Sequence, residues 1–465
     1  MLLKQVVLDQ IETQIFALLK EFVASHQDKF NGLTLRVAGG WVRDKLLGLS
    51  CHDMDIALDK STGESFALSF YGYLNAQYTK EKIASSLGVI EANPDQSKHL
   101  EAATLTLFSR PIDFVNLRTE TYSHQSRIPS MVFGTPLEDA LRRDLTINSL
   151  FYNLHTECVE DFTGLGISDL LQGIIRTPLD PLITLTDDPL RMLRAIRFAA
   201  RYGYKIVPEL IQAIQDPQVD AAFQNKISRE RVGIEIDKIC AHATRINGLS
   251  LIDEMRVVYP LIIGKLPESL NTTASKGVYT YSEILARFRQ LGNTTLSREG
   301  ALALLCLPQE GKFYTKKKNK REETFSSFII KESLKLSNKD ADAVYQLVEY
   351  STEASRLMHL SPREIGRLIK NIGSNWREAL LLAYLAHDFP FEVLIKRVED
   401  LGLAGCWSWK PLINGDEIQK LLPEAPCRAF GRITQEIYDW QFEHPSGSIP
   451  DLTNHLLNNK HCFTD

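Results

Sequence analysis

Two aspartates separated by one residue, Asp53-Met54-Asp55, lead into the apolar run Ile56-Ala57-Leu58. Side chains alternate along a strand, so Asp53 and Asp55 are expected on one face while Met54 and Ile56 turn to a core. Two carboxylates on one strand edge make a hard-oxygen site suited to Mg2+. Asp113, embedded in Ile112-Asp113-Phe114-Val115, can add a third carboxylate from a neighbouring strand. Two ions roughly 3.5–4 Å apart would clamp the attacking and leaving oxygens of an in-line phosphoryl transfer. Asp-x-Asp alone is common and usually sits in a turn, so its surroundings must decide.

Upstream lies Gly39-Gly40-Trp41-Val42-Arg43-Asp44, a glycine pair opening a helix. Glycine lets a backbone approach an anion, and a helix N-terminus presents free N–H groups. Arg43 adds a charge-assisted partner for phosphate. A triphosphate cradle beside a two-carboxylate strand is the arrangement that nucleotidyl transfer needs. Each half is weak evidence; the two together are strong.

A third segment runs Asp187-Asp188-Pro189-Leu190-Arg191-Met192-Leu193-Arg194-Ala195-Ile196-Arg197-Phe198. Pro189 suits a first helical turn, and the aspartates before it suit the positive helix end. Arg191, Arg194, Arg197 and Arg201 fall within one arc, with Met192, Leu193, Ile196 and Ala199 on the other side. A solvated face would more often mix Glu with Lys, and no acid interrupts this stretch. Asp188 and Arg191, three apart, are helix neighbours. Their carboxylate and guanidinium match an amino group beside a ring nitrogen, as in cytosine and adenine. Uracil and guanine place a carbonyl where that amino group should be, opposing two acceptors. Two side chains can therefore accept C and A without a template.

These residues resemble a known family. Leu35-Arg36-Val37-Ala38-Gly39-Gly40-Trp41-Val42-Arg43-Asp44 followed by Asp53-Met54-Asp55 is similar to the first motif of class II tRNA nucleotidyltransferases. Those CCA-adding enzymes belong to the polymerase-β-like superfamily. Four further motifs follow in the family's order within about residues 33 to 240, and Ser126-Arg127-Ile128-Pro129 and Phe133-Gly134-Thr135-Pro136 are similar to fungal members. No segment of the C-terminal half is matched.

The resemblance implies template-independent addition of CCA to the tRNA 3′ end from CTP and ATP, with two Mg2+ ions held by Asp53 and Asp55 and supported by Asp113. It places Gly39, Gly40 and Arg43, aided by Arg194, on the triphosphate. Leu141-Arg142-Arg143-Asp144-Leu145-Thr146-Ile147-Asn148 resembles the RRDxxxN motif, which puts Arg143 and Asp144 on the ribose with Asn148 helping to hold the nucleotide. Its apolar spacing predicts a helix with one packed side. Asp188 and Arg191 match the base-reading motif, with Asp187 where the family often has Glu. Glu160-Asp161-Phe162-Thr163-Gly164 is similar to a hinge motif. Thr119 to Pro136 occupies the place of a flexible loop linked to the switch from C to A, with Arg127 its polar actor. Ser228-Arg229-Glu230-Arg231 with Glu235 resembles the fifth motif, and the four-residue spacing of Arg231 and Glu235 predicts a structural staple between helices.

The elements needed to position these groups are legible. Leu8, Ile11, Ile15, Leu18, Leu19 and Phe22 predict an amphipathic N-terminal helix. Strands are expected at 33–37, about 52–58 and 112–117, with a short helix from Trp41 to Leu47 stopped by Gly48. Ser61-Thr62-Gly63-Glu64 reads as a capping box. Beyond about residue 165 helical patterns dominate, among them Leu190–Arg201, Arg229–Cys240 and Glu378–Ala386. The expected fold is α+β: a mixed α/β catalytic head with a central sheet at 1–150, an all-helical neck at 151–245, and a helical body and tail at 246–465 that binds tRNA.

Composition is that of a globular chain of 465 residues, 44% hydrophobic and 24% charged, with a net charge of −5. Acidity overall argues against indiscriminate coating of nucleic acid, but not against a local basic groove. Seven scattered cysteines show no C-x-x-C spacing, so neither zinc nor a disulfide framework is indicated. No membrane span, signal peptide or transit peptide is expected in these residues. The expected location is intracellular, in cytoplasm and nucleus, with a longer form directed to the mitochondrion left open. The basic run Lys316-Lys317-Lys318-Asn319-Lys320-Arg321 reads first as a solvated loop. No obligatory protein partner is evident. Three rivals stand: a non-catalytic RNA-binding protein on a decayed head, disfavoured by the three aspartates; a poly(A) polymerase or partial CC- or A-adding enzyme; and a small-molecule nucleotidyltransferase, disfavoured by the long helical half.

Overall fold

The computed structural model describes residues 5–51, 53–78, 84–90, 102–123, 126–257, 262–264, 266–267, 269–270, 280–292, 294–309, 312–315, 322–354, 360–387 and 391–463. It divides into two compact units, Met1–Ile239 with Asn247–Leu261, and Cys240–Ile246 with Ile262–Asp465. The stretches expected as head (1–150) and most of the neck (151–245) both fall in the first unit.

The first unit opens with the helix Gln10–Ser25, capped reciprocally by Asp9 and Glu12. Its apolar face buries Ile15, Leu19 and Phe22 completely. A seven-stranded mixed sheet follows: β1 (Leu35–Ala38), β2 (Met54–Leu58), β3 (Ala84–Ile90), β4 (Ala102–Leu107), β5 (Arg110–Asn116), β8 (Phe151–Asn153) and β9 (Cys158–Glu160), in the order β3-β4-β5-β2-β1-β8-β9. Only β2 and β5 run parallel among the neighbouring pairs. The helix Gly63–Gln77 covers one face, where Phe66 and Phe70 meet Phe22 and Phe114 at 5.1–6.2 Å between ring centroids. The expected capping box at its start is not formed. Thr62 is the N-cap and accepts from Ser65, so Glu64 stands one position too early to reach back.

Between sheet strands β5 and β8 the chain leaves the sheet as a hairpin of its own, β6 (Arg118–Ser123) and β7 (Ser126–Phe133). The segment expected to be a loop is thus a two-stranded ribbon. Gly134 at its base has no room for a side chain: a Cβ there would lie 2.6 Å from the backbone of Arg118 and Thr119. Arg127 is on β7, with its side chain outside the described residues.

Helices dominate from Gly166 onward, broken by the short parallel pair Ile174–Ile175 with Lys205–Ile206 and the antiparallel pair Phe313–Thr315 with Glu322–Thr324. The remainder expected to be all-helical is therefore largely helical. Residues 316–321, the basic run, lie outside the described residues. In the second unit the helices Pro362–Ile372 and Phe430–Glu443 pack together, and Ile413, Ile433, Ile437, Trp440, Leu452 and Leu456 form a terminal core. Among the described residues no helix is long and apolar enough to cross a membrane.

Candidate active site

Alternation along β2 puts Met54 and Ile56 into the core, at 4% and 0% exposure, and leaves Asp53 and Asp55 exposed on the other face. The parallel register sets Asp55 directly beside Asp113 of β5. Thr104 of β4 donates to the Asp113 carboxylate at 2.5 Å, which fixes its orientation. Desolvation raises the Asp55 carboxyl above its ordinary range; Arg143 opposes this, while Asp113, Asp53 and Asp139 push it further up. Among the described residues no group of three or more His, Cys, Asp or Glu is arranged to hold a metal ion on its own.

The turn before the next element is set by Gly39, whose φ of +70° is left-handed. A Cβ there would also lie 2.7 Å from the Arg143 guanidinium and 3.3 Å from the Asn148 backbone carbonyl, so the tight space adds to the conformational demand for glycine. The helix Gly40–Leu47 starts at that turn and stops at the left-handed Gly48, one residue earlier at its start than the spacing predicts. Trp41 and Lys45 anchor it to the buried Glu12 carboxylate at 3.0 and 2.6 Å. Arg43, 4% exposed, donates to Asp44 at 2.8 Å and to the side-chain carbonyl of Asn148.

The segment 141–150 is not the helix its apolar spacing predicts. The helix Pro136–Leu141 ends at Arg142, Leu145 is extended, and a single 3-10 turn covers Thr146–Asn148. Asp144 competes for the backbone by accepting from its neighbour Leu145 N–H at 2.9 Å, the local capture that breaks helices at Asp. The same carboxylate accepts from the Asn148 amide at 3.1 Å and from Arg194 at 2.7 Å. Burial works to raise it, but the charge of Arg194, the Asn148 and Arg194 bonds and the charge of Arg191 bring it down to about 2. Arg143 is held by the buried Asp139 at 2.9 Å and donates to the Asn148 backbone carbonyl at 3.2 Å. Asp139 also takes Arg142 and, although burial raises it, these two arginines keep it below the ordinary carboxylate range.

The helix Leu190–Tyr202 supplies the opposite wall. Met192, Leu193, Ile196 and Ala199 are buried as the wheel predicts. Its arginines are not a free row of cations. Arg194 pairs with Asp144, Arg197 with Glu235 at 2.6 Å, and Arg201 approaches Asp44 at 3.9 Å. Phe198 lies against three of the guanidiniums that line the cleft: Arg197, Arg43 and Arg194 are 4.3, 4.8 and 5.7 Å from its ring centroid. Tyr202 donates to Asp44 at 2.8 Å, tying this helix to the glycine turn. Arg191 donates to the Arg142 backbone carbonyl at 2.6 Å.

Arg231 and Glu235 do not staple each other. Arg231 reaches Asp188 at 2.9 Å, while Glu235 takes Arg197, with Lys238 at 3.6 Å and Arg194 at 3.8 Å. From the helix Arg229–Ala241, Glu235 thus faces the helix Leu190–Tyr202, whereas Arg231 faces the extended residue Asp188 that precedes it.

One cleft of about 570 Å3 collects nearly all these groups. Gly39, Gly40, Arg43, Asp55, Arg143, Asp144, Asn148, Asp188, Arg191 and Arg194 line it; Asp53 and Asp113 stand beside Asp55 outside the lining. Asn116, Arg118, Arg142, Arg197, Phe198 and Arg231 line it as well. Sequence reasoning left Asn116, Arg118 and Arg142 without a role. Asn116 follows Asp113 on the same strand, but no spacing signal marks it. The lining holds eight arginines against three aspartates, so an acidic chain presents a basic concavity.

Comparison with known proteins adds to this geometry. Residues 35–176 match the family described as the poly A polymerase head domain. The mitochondrial CCA tRNA nucleotidyltransferase of Saccharomyces cerevisiae is 34% identical, over 97% of this chain and 93% of its own length. A tRNA nucleotidyltransferase of Schizosaccharomyces pombe is 35% identical, over 97% and 98%. A solved structure of the Thermotoga maritima CCA-adding enzyme, complexed with tRNA, superposes with a TM-score of 0.67 at 19% identity, over 99% of this chain and 100% of that one, a likeness of fold.

Proposed function

This chain belongs to the class II CCA tRNA nucleotidyltransferase family and adds CCA to the tRNA 3′ end; we propose that the basic cleft does so from CTP and ATP, with side chains in place of a template. The observation that carries this reading is convergence. Residues drawn from four separate stretches of sequence, around 39–43, 55, 143–148 and 188–194, line one cavity.

The triphosphate lies against the Gly39-Gly40 turn, where the first N–H groups of the helix that starts at Gly40 meet it together with Arg43, and Arg194 closes the other side. Arg143 and Asp144 meet the ribose and Asn148 links them to Arg43. Asp188 accepts from the exocyclic amino group of C or A, and Arg191 donates to the adjacent ring nitrogen. Phe198 packs against three guanidiniums that are each paired with a carboxylate, Arg43 with Asp44, Arg194 with Asp144 and Arg197 with Glu235, and helps to hold them in place.

The family implies divalent metal ions, and the donor set fits them. Asp53 and Asp55 share a strand edge with Asp113 in register, and desolvation first, then the neighbouring carboxylates, resist ionisation of Asp55. Such a site is completed by substrate phosphate oxygens rather than by a closed protein cage, as Mg2+ prefers. Two ions bound there would supply activation of the RNA 3′-OH and neutralisation of departing pyrophosphate.

We assign residues 1–150 as catalytic head, 151–245 as neck and 246–465 as the body and tail that grip tRNA through shape and phosphate. The hairpin 118–133 is the candidate for the switch from C to A. Cytoplasm and nucleus are the proposed location, with a mitochondrial form suggested by the name of the Saccharomyces relative.

An extension assay on tRNA lacking CCA tests the reading. Two residues added with CTP, and one more only when ATP is present, are expected. Long A tails would refute it in favour of a poly(A) polymerase, and growth by CC alone in favour of a partial enzyme. In the same assay Asp188→Ala is expected to admit UTP and GTP.

A further inference from the structure

Arg231 lies 43 residues beyond Asp188, yet its guanidinium faces that carboxylate squarely. Nη2 is 2.9 Å from Oδ2 and Nη1 is 3.4 Å from Oδ1. The Leu190 backbone N–H approaches Oδ1 at 3.3 Å from within the chain. The carboxylate is therefore held from two directions, by a planar fork and by the start of the helix that follows it; Asp188 itself is extended and precedes that helix, so it is not the helix neighbour of Arg191 that the three-residue spacing predicts. Its side chain is 19% exposed, and a carboxylate has about four lone-pair positions, so these contacts orient Asp188 without exhausting it. Arg191 is oriented separately, through the Arg142 carbonyl at 2.6 Å.

The pairing also has a second effect. Arg231 lines the same cleft, and an unpaired guanidinium there would offer N–H donors. Donors are what the carbonyl of uracil or guanine accepts from. Engaging that fork with Asp188 removes them from the face that a base meets.

We propose that Arg231 is a positioning residue for nucleotide selection, fixing the direction in which Asp188 presents its acceptor and withholding its own donors from U and G. The proposal rests on the base-reading role assigned to Asp188 and Arg191. It makes the spacing of residues 188 and 231 a matter of specificity rather than of helix packing alone.

The test is kcat/KM for CTP and UTP on tRNA lacking CCA, and for ATP and GTP on tRNA ending in CC. Wild type, Arg231→Ala, Arg231→Lys, Asp188→Ala and the double variant Asp188→Ala/Arg231→Ala are compared. Arg231→Ala is expected to raise the UTP-to-CTP and GTP-to-ATP ratios about tenfold or more, chiefly through KM, and Arg231→Lys to restore part of the discrimination. In the Asp188→Ala background, Arg231→Ala is expected to lower the ratio, because the exposed donors go with it. Each ratio is internal to one preparation, so partial misfolding cancels. An equal loss with all four nucleotides, discrimination unchanged, would overturn the proposal and leave Arg231 a packing residue. Exclusion of UTP and GTP by Asp188→Ala would overturn the base-reading assignment itself, and this inference with it.

Discussion

Replacing Arg194 with Met removes the 2.7 Å partner of Asp144 and leaves that carboxylate with the Leu145 N–H and the Asn148 amide. The Asp144 side chain is only 10% exposed, so the loss is not made good by water. Its drop from the ordinary 3.8 to about 2 corresponds to roughly 2 kcal/mol, at about 1.4 kcal/mol per unit. Because the folded value lies below the unfolded one, this contribution is complete above about pH 4 and is lost as pH falls toward about 2. At neutral pH, Arg194→Met and Asp144→Asn are each expected to destabilise the first unit by about 2 kcal/mol. The double variant should fall short of their sum by about 1–2 kcal/mol, the coupling of a direct pair. Hydrogen exchange of the Leu190–Tyr202 amides in urea reads this unit without interference from the second. Additivity within about 0.5 kcal/mol would refute the reasoning, since the two side chains would then not be acting on each other. Below pH 4 wild type and Asp144→Asn should converge in stability; parallel curves would refute the sign.

Asp53→Ala should abolish nucleotide addition while tRNA affinity stays within about twofold; a parallel loss of binding would count against a metal-ligating role. Gly39→Ala forces a side chain into left-handed backbone and against Arg143, and should raise KM for CTP and ATP alike by about tenfold, with the tRNA KM unchanged. Gly134→Ala displaces the base of the hairpin 118–133, and should let tRNA ending in CC accumulate; equal slowing of all three additions would remove the hairpin from the switch.

The strand that carries Asp55, the glycine turn and the arginine helix were legible because their signals are local. Alternation across β2 placed Asp53 and Asp55 on one face, and a 3.6-residue period separated Arg194 and Arg197 from Leu193 and Ile196. Those periods depend only on backbone geometry, which each segment carries in its own residues. The helix expected at 141–150 failed for a reason also local but finer: Asp144 captures the next N–H, and apolar spacing is blind to that competition. The ribbon at 118–133 lacked the short turn signal of a hairpin.

What the arginines meet is another matter. The partners of Arg194, Arg197 and Arg231 stand 50, 38 and 43 residues away, and Tyr202 reaches Asp44 across 158. Four-residue spacing made Arg231 and Glu235 look like partners of each other, but the fold brings Asp188 to Arg231 and Arg197 to Glu235 instead. A short-range pattern determines which face a charge occupies; only the folding of distant segments onto that face decides which opposite charge it finds.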